Sequence, residues 1–192
     1  GTYSVVETQP AGYGSSPGSP NTIAPFALAA GGSAVHNFGE TTGSLSGTVY
    51  RDDNNHGTQN GGEPPIAGVT VTLTGTNAAG QVVNLTTTTD ASGNYSFTGL
   101  LAPNAGGYAI TETQPAAYND GLDTLGNVGG IHSMNDVFTA IPLAAGASGT
   151  GYNFGERGTT LSGTVFIDTN RDGSLQGGET GRISGVTIEL RD

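Results

Sequence analysis

Leu45-Ser-Gly-Thr-Val-Tyr50, followed by Asp52-Asp-Asn-Asn-His-Gly-Thr-Gln-Asn-Gly-Gly-Glu63 and then Val69-Thr-Val-Thr-Leu73, is the stretch that decides the fold. Both flanks alternate in side-chain character with period two, which reads as β-strand, and Val69, Val71 and Leu73 share one face opposite threonines. Between the flanks, Asp52 and Asn54 stand at loop positions 1 and 3, Gly57 at 6 and Glu63 at 12. That is the spacing of an EF-hand-type calcium loop. A hard dication takes six to eight oxygens. Short side chains at alternate positions point inward, glycine permits the sharp turn, position 7 (Thr58) offers its carbonyl and the closing glutamate binds with both oxygens. An EF-hand would place a helix on each side. Here the loop joins strands, which excludes a helix-opening sensor.

The loop recurs in fuller form as Asp168-Thr-Asn-Arg-Asp-Gly-Ser-Leu-Gln-Gly-Gly-Glu179. Asp168, Asn170 and Asp172 take positions 1, 3 and 5, Gly173 position 6, Ser174 the carbonyl position and Glu179 position 12. In the first copy position 9 is Asn60, a further oxygen ligand, but position 5 is His56, and a neutral imidazole suits calcium poorly. The first loop is therefore expected to bind more weakly. The competing reading of both is a solvated turn, since Asp, Asn and Gly are common turn residues.

Composition narrows the class. Gly accounts for 34 of 192 residues, and short Thr- and Val-rich runs lie between Gly, Asn, Asp and Pro, so the chain reads as all-β with many turns. Without cysteine there are no disulfides, thiolate metal sites or cysteine nucleophiles. Sixteen acids face five bases, all arginine, for a net charge of −11. Nucleic acid and anionic membranes both require basic patches, so neither is an expected partner, and no run is long and apolar enough to insert in a bilayer. His36, His56 and His132 have no metal-site spacing, and no serine sits in a nucleophile elbow. The expected class is non-enzymatic.

Internal repetition sets the organisation. Asn37-Phe-Gly-Glu40 returns as Asn153-Phe-Gly-Glu156, and Ser46-Gly-Thr-Val-Tyr50 as Ser162-Gly-Thr-Val-Phe166, each at an offset of 116 residues. Tyr3-Ser-Val-Val-Glu-Thr-Gln-Pro10 returns as Tyr108-Ala-Ile-Thr-Glu-Thr-Gln-Pro115 at an offset of 105, so the first copy is shorter around the counterpart of Asp120–Gly126. The expected domains are the C-terminal part of a repeat (1–40), a complete repeat (41–156) and the N-terminal part of a following one (157–192). Within the complete repeat seven strands are expected: 45–50, 69–74, 82–89, 94–98, 108–112, 137–141 and 151–154. Ser15-Ser-Pro-Gly-Ser-Pro20 reads as a loop inside the first unit rather than a boundary. Such a unit suits a small sandwich in tandem array.

Ser46-Gly-Thr-Val-Tyr50, the acidic loop closing at Glu63, Ala67-Gly-Val-Thr-Val71, Thr89-Asp-Ala-Ser-Gly-Asn-Tyr-Ser-Phe97, Tyr108-Ala-Ile-Thr-Glu-Thr-Gln-Pro115 and Asn153-Phe-Gly-Glu156 together resemble the B-type repeats of bacterial surface adhesins. The match is to the B domains of serine-aspartate repeat proteins, relatives of the collagen-adhesin B module. The resemblance implies tandem immunoglobulin-like β-sandwiches of the reversed, collagen-adhesin B type, with calcium held by Asp52, Asn54 and Glu63 and by Asp168, Asn170, Asp172 and Glu179. It places Asp120, Asp123 and Asp136 where similar domains carry further calcium-linked acids. It implies a stalk or fibre role at the cell surface or in an extracellular matrix. Two chemistries of related adhesins are ruled out: with no lysine no isopeptide bond forms, and with no cysteine no thioester.

The function expected is a calcium-stiffened structural module of a secreted bacterial surface protein or fibre. Its expected partners are neighbouring repeats or copies of itself; head-to-tail strand complementation between copies is one reading of the partial repeats, and the competing, favoured one is that the chain is a fragment of a longer polypeptide. The alternative is an adhesin domain that recognises a host protein or glycan through its loops.

Overall fold

Val71 and Leu73 have no exposed surface, whereas Thr70, Thr72 and Thr74 face outward, so this strand is buried on one side only. It belongs to one of two five-stranded sheets that face each other across a single apolar core. The computed structural model describes residues 1–191, and they divide into two compact units, Gly1–Gly158 and the residues from Thr159 onward.

In the first unit the N-terminal piece supplies β1 (Thr2–Val6), β2 (Gly14–Ser15), β3 (Thr22–Ala27) and β4 (Glu40–Thr41), with β1 paired to β3 and β2 to β4, both antiparallel. The sandwich follows as β5 (Gly43–Arg51), β6 (Thr70–Asn77), β7 (Val82–Thr88), β8 (Asn94–Leu100), β9 (Pro103–Glu112), β10 (Asn119–Asp120), β11 (Ile131–Met134), β12 (Val137–Ile141), β13 (Ser148–Gly149) and β14 (Phe154–Arg157). One sheet runs β10-β14-β5-β13 with β8 also paired to β5, and the other runs β11-β12-β9-β6-β7. The first and last strands, β5 and β14, are parallel neighbours, with Phe154 opposite Val49 and Glu156 opposite Arg51.

Leu45, Val49, Ile110, Phe138, Ile141, Tyr152 and Phe154 are buried between the sheets. Each contributes about 1.5–3 kcal/mol by leaving water. Phe138 is the hub: its ring centroid lies 4.8 Å from that of Phe154 and 5.4 Å from that of Tyr152, the latter edge-on. Tyr95 and Tyr152 keep their hydroxyls satisfied, donating to Tyr152 O at 2.6 Å and Gly129 O at 2.7 Å. Close approach explains Gly47 in the Ser-Gly-Thr-Val motif, where a Cβ would lie 1.7 Å from Tyr152 O.

The expected seven strands are present, and Val137–Ile141 matches its predicted bounds. The last differs: it begins at Phe154 rather than Gly151, because Gly151 turns with φ +80° and Asn153 Oδ1 accepts the Thr48 N–H at 3.0 Å. The short strands β10, β11 and β13 are additional to the seven expected. The stretch Ser15–Pro20 lies inside the first unit, and Ala102 N–H donates to Gly12 O at 2.8 Å, so the N-terminal piece packs on the sandwich at the end where β5 begins.

In the second unit no strand forms: among the described residues after 158 there is a single bridge, Phe166 to Arg182, with Ile167 N–H donating to Gly181 O and Ile183 N–H to Val165 O, each at 3.0 Å. Strands are stable when paired across a sheet. The counterparts of β5 and β6 here lack counterparts of β8, β9 and β14.

Candidate metal centre

Asp52 leaves β5 where the strand meets β14, its own N–H donating to Glu156 O at 2.7 Å. Its fully buried carboxylate then organises the loop: Oδ1 accepts the N–H of His56 at 3.2 Å and Oδ2 that of Gly57 at 2.7 Å. Glu63 closes the loop with Oε2 accepting Asn60 N–H at 2.7 Å. The second loop repeats these contacts. Asp168 Oδ1 accepts from Arg171 and Asp172, Oδ2 accepts from Gly173 at 2.9 Å, and Glu179 Oε2 accepts Gln176 N–H at 3.1 Å. The Gly173 N–H, with those of Arg171 and Asp172, holds the Asp168 carboxyl below the ordinary aspartate range. Position 4 is left-handed in both loops (Asn55, φ 55°; Arg171, φ 64°), as is the position-6 glycine (Gly57, 78°; Gly173, 77°). Two loops in separate units share one backbone and one pattern of carboxylate capture.

The loops differ at position 5. Asp172 meets Asn170 Nδ2 at 3.0 Å and Gln176 Nε2, so positions 3, 5 and 9 converge at the loop mouth. In the first loop His56 Nδ1 accepts Thr58 N–H at 3.2 Å and Nε2 lies against Asn60 Nδ2. That imidazole puts nitrogens where the second loop has the Asp172 carboxylate, so the first loop offers fewer oxygen ligands. Asn54, Thr58 and Ser174 are exposed. A hard cation nevertheless suits this loop, because Glu63 Oε1 and Asn55 Oδ1 are buried oxygens with no partner.

The structure builds a second acidic group against the first loop. Thr124 Oγ1 donates to Gly57 O, which seats the loop on the segment that carries Asp123. Asp123 Oδ1 accepts Gly155 N–H at 3.3 Å, Oδ2 accepts Asp136 N–H at 3.2 Å, and His132 Nε2 stands 3.2 Å from Oδ2. Asp120, Asp123 and Asp136 each bring an oxygen within 4.8 Å of the others. Burial raises the Asp123 carboxyl, opposed by its N–H donors and His132. Burial, then Asp123 and Asp120, push Asp136 up to about 6. The Tyr50 hydroxyl is buried and unpartnered, and burial, then Asp52, Glu63 and Asp123, hold its pKa far above the ordinary value.

Glu112, Asp136 and Glu156 form the other set of three carboxylates within 4.8 Å among the described residues. Glu112 and Glu156 were not foreseen as ligands. Their sequence separation hides them, but the recurrence of Glu-Thr-Gln-Pro and Asn-Phe-Gly-Glu was a usable signal, because the two motifs meet in space.

A family model described as SdrD B-like domain matches residues 43–144, more than half of the chain. The chain belongs to the SdrD B-like domain family. Serine-aspartate repeat-containing protein D of Staphylococcus aureus (strain Newman) is 36% identical over 152 residues, covering 78% of this chain and 11% of that protein. Serine-aspartate repeat-containing protein F of Staphylococcus epidermidis is 35% identical over 163 residues, covering 81% of this chain and 9% of that protein. The chain thus spans about a tenth of the length of these relatives. Among solved structures it is similar to the shaft pilin spaA from Lactobacillus rhamnosus GG (18% identity, 62% of this chain and 52% of that one, TM-score 0.39). It is also similar to the Bacillus anthracis TIE protein (19% identity, 86% and 28%, TM-score 0.43). As an SdrD B-like domain the chain is an all-β, immunoglobulin-like repeat module.

Proposed function

We propose that this chain is a non-enzymatic structural segment of an extracellular bacterial surface protein, whose SdrD B-like repeats, with 41–156 as the complete one, are stiffened by calcium bound in their acidic loops. The observation that carries the reading is the shared capture pattern of Asp52/Glu63 and Asp168/Glu179 in loops of separate units. Backbone N–H groups fix the position-1 and position-12 carboxylates; each captured oxygen keeps a lone pair for a hard cation, and Glu63 Oε1 has no partner at all. Between β5 and β6 in the sandwich, the empty loop is a ring of like charges and polar orphans, whereas calcium converts it into a brace tied to Asp123 through Thr124. Asp120, Asp123 and Asp136 supply a further, weaker set. Calorimetric titration of the metal-stripped chain tests this: calcium heat that is lost in part with Asp52→Ala and in part with Asp168→Ala is expected, and no heat overturns it.

A second reading is favoured by a groove of about 600 Å³ between the sheets, lined by Ser46, Thr48, Thr87, Asp90, Asn94 and Asn153. Hydroxyls and amides at that density suit a glycan. Binding on a glycan array, abolished by Asn94→Ala, supports it, and a blank array returns the chain to a purely structural role.

A further inference from the structure

Glu112 ends β9 in one sheet and Glu156 lies in β14 of the other, so this pair bridges the sandwich at the end where the repeat leaves it. Glu112 is 3% exposed and Glu156 not at all. Both Glu112 oxygens, Glu156 Oε1 and Asp136 Oδ1 are buried without a hydrogen-bond donor. Asp136 sits at a left-handed residue, φ 56°, with its carbonyl accepting Glu112 N–H at 2.9 Å, and its carboxylate completes the set. The remaining Glu156 oxygen accepts Gln114 Nε2, which orients the carboxylate as a supporting residue does for a metal ligand.

Four unpartnered carboxylate oxygens from three residues cannot all be satisfied by a proton. One shared proton pairs two of them and leaves the others orphaned in a low-dielectric site. A hard dication takes one oxygen from each of the three residues, which lie within 4.8 Å of one another, and a glutamate can add its second oxygen by binding bidentately. We propose that Glu112, Glu156 and Asp136 form an inter-sheet binding site for a divalent cation such as calcium, separate from the acidic loops, that clasps the two sheets at the repeat's exit.

The preceding repeat carries the glutamate pair and its glutamine, with Asn21 standing where the complete repeat has Asp136. Gln9 Nε2 donates to Glu40 Oε2, and Glu7 Oε2 and Glu40 Oε1 are again buried without partners. Glu7, Gln9 and Glu40 correspond to Glu112, Gln114 and Glu156 by motif. The trio persists in a copy that is shorter where the complete repeat carries Asp120 and Asp123, so the sheet-bridging glutamates belong to the repeat rather than to those aspartates.

The test is calcium stoichiometry and thermal stability of the full chain and of Glu112→Gln and Glu156→Gln, with Asp52→Asn/Asp168→Asn as the loop control. Glutamine keeps the shape and removes the charge. In chelator each glutamine variant is expected to melt higher than the parent, because repulsion is relieved, which shows that it folds. In calcium each is expected to bind one ion fewer than the parent and to gain less in Tm, while the loop control still binds at the glutamate site. Unchanged stoichiometry and calcium-induced Tm rise in both glutamine variants would overturn the proposal. That outcome is compatible with intact loop binding, which the loop control reads separately.

Discussion

Asp52→Ala separates the structural work of the loop from its metal work. Its carboxylate is fully buried and accepts two backbone N–H groups, of which Gly57 N–H is itself buried. Hydrogen bonds to a charged group contribute about 1.5–3 kcal/mol each, so alanine should cost about 3–6 kcal/mol in chelator. At about 2–4 °C per kcal/mol for a unit of this size, the metal-free Tm should fall by about 6–24 °C. Calcium at a hundred times the dissociation constant stabilises the parent by about 2.7 kcal/mol through linkage, and the variant should forfeit the share that belongs to this loop. The gap between parent and variant should therefore widen by a further several degrees, about 5–10 °C, when calcium replaces chelator. Scanning calorimetry with each protein in excess calcium and in chelator measures both gaps. If the two gaps are equal, the loop is an Asx-type turn that holds its backbone and no ion, and the metal reasoning fails at this position.

The pH dependence should change sign with metal. A carboxyl whose folded pKa is raised binds more protons folded than unfolded, so metal-free stability falls as pH climbs from about 4, the ordinary aspartate value, to about 6 for Asp136, and further for Glu112, raised by burial and then by Glu156, and for Glu156, raised by burial and by the Asp136 and Asp120 charges. In saturating calcium the Tm should rise over the same interval, because the ion requires ionised ligands; parallel curves with and without calcium would contradict this. Gly47→Ala should abolish folding, since its Cβ meets Tyr152 O at 1.7 Å, and circular dichroism with a soluble, sharply melting product would refute the close approach. Phe138→Ala should cost about 3–5 kcal/mol by emptying the centre of the aromatic cluster, read as a shift in denaturant midpoint.

The strands were legible where one face alone is buried. Val69, Val71 and Leu73 against three threonines carry the period-two signal, and Tyr95 and Phe97 share a buried side as their spacing requires. The glycine-rich run before Ile131 hid β11, whose four residues are all exposed and carry no alternation. The N-terminal boundary of β14 was misplaced because Asn153 uses its side chain, not its backbone, to hold Thr48. The loop carboxylates were legible because they fall within twelve residues of one another. Glu112 and Glu156 were not, since only the packing of β9 over β14 brings them together. The segment after 158 kept its loop but not its strands, which shows that the loop geometry is local whereas strand formation depends on distant partners.

The parallel pairing of β5 with β14 has a mechanical consequence. The strand that enters the repeat and the strand that leaves it lie side by side and point the same way, with Phe154 to Glu156 registered on Val49 to Arg51, and β13 holds the start of β5 at Ser44 and Leu45. Tension along the polypeptide pulls β5 toward its beginning and β14 toward its end. The hydrogen bonds between them are then loaded together in shear, not opened one after another like a zip. In a chain of such units this pair would be loaded in shear at every repeat, and a grip on the exit end, where Glu156 faces Glu112, would act directly on it.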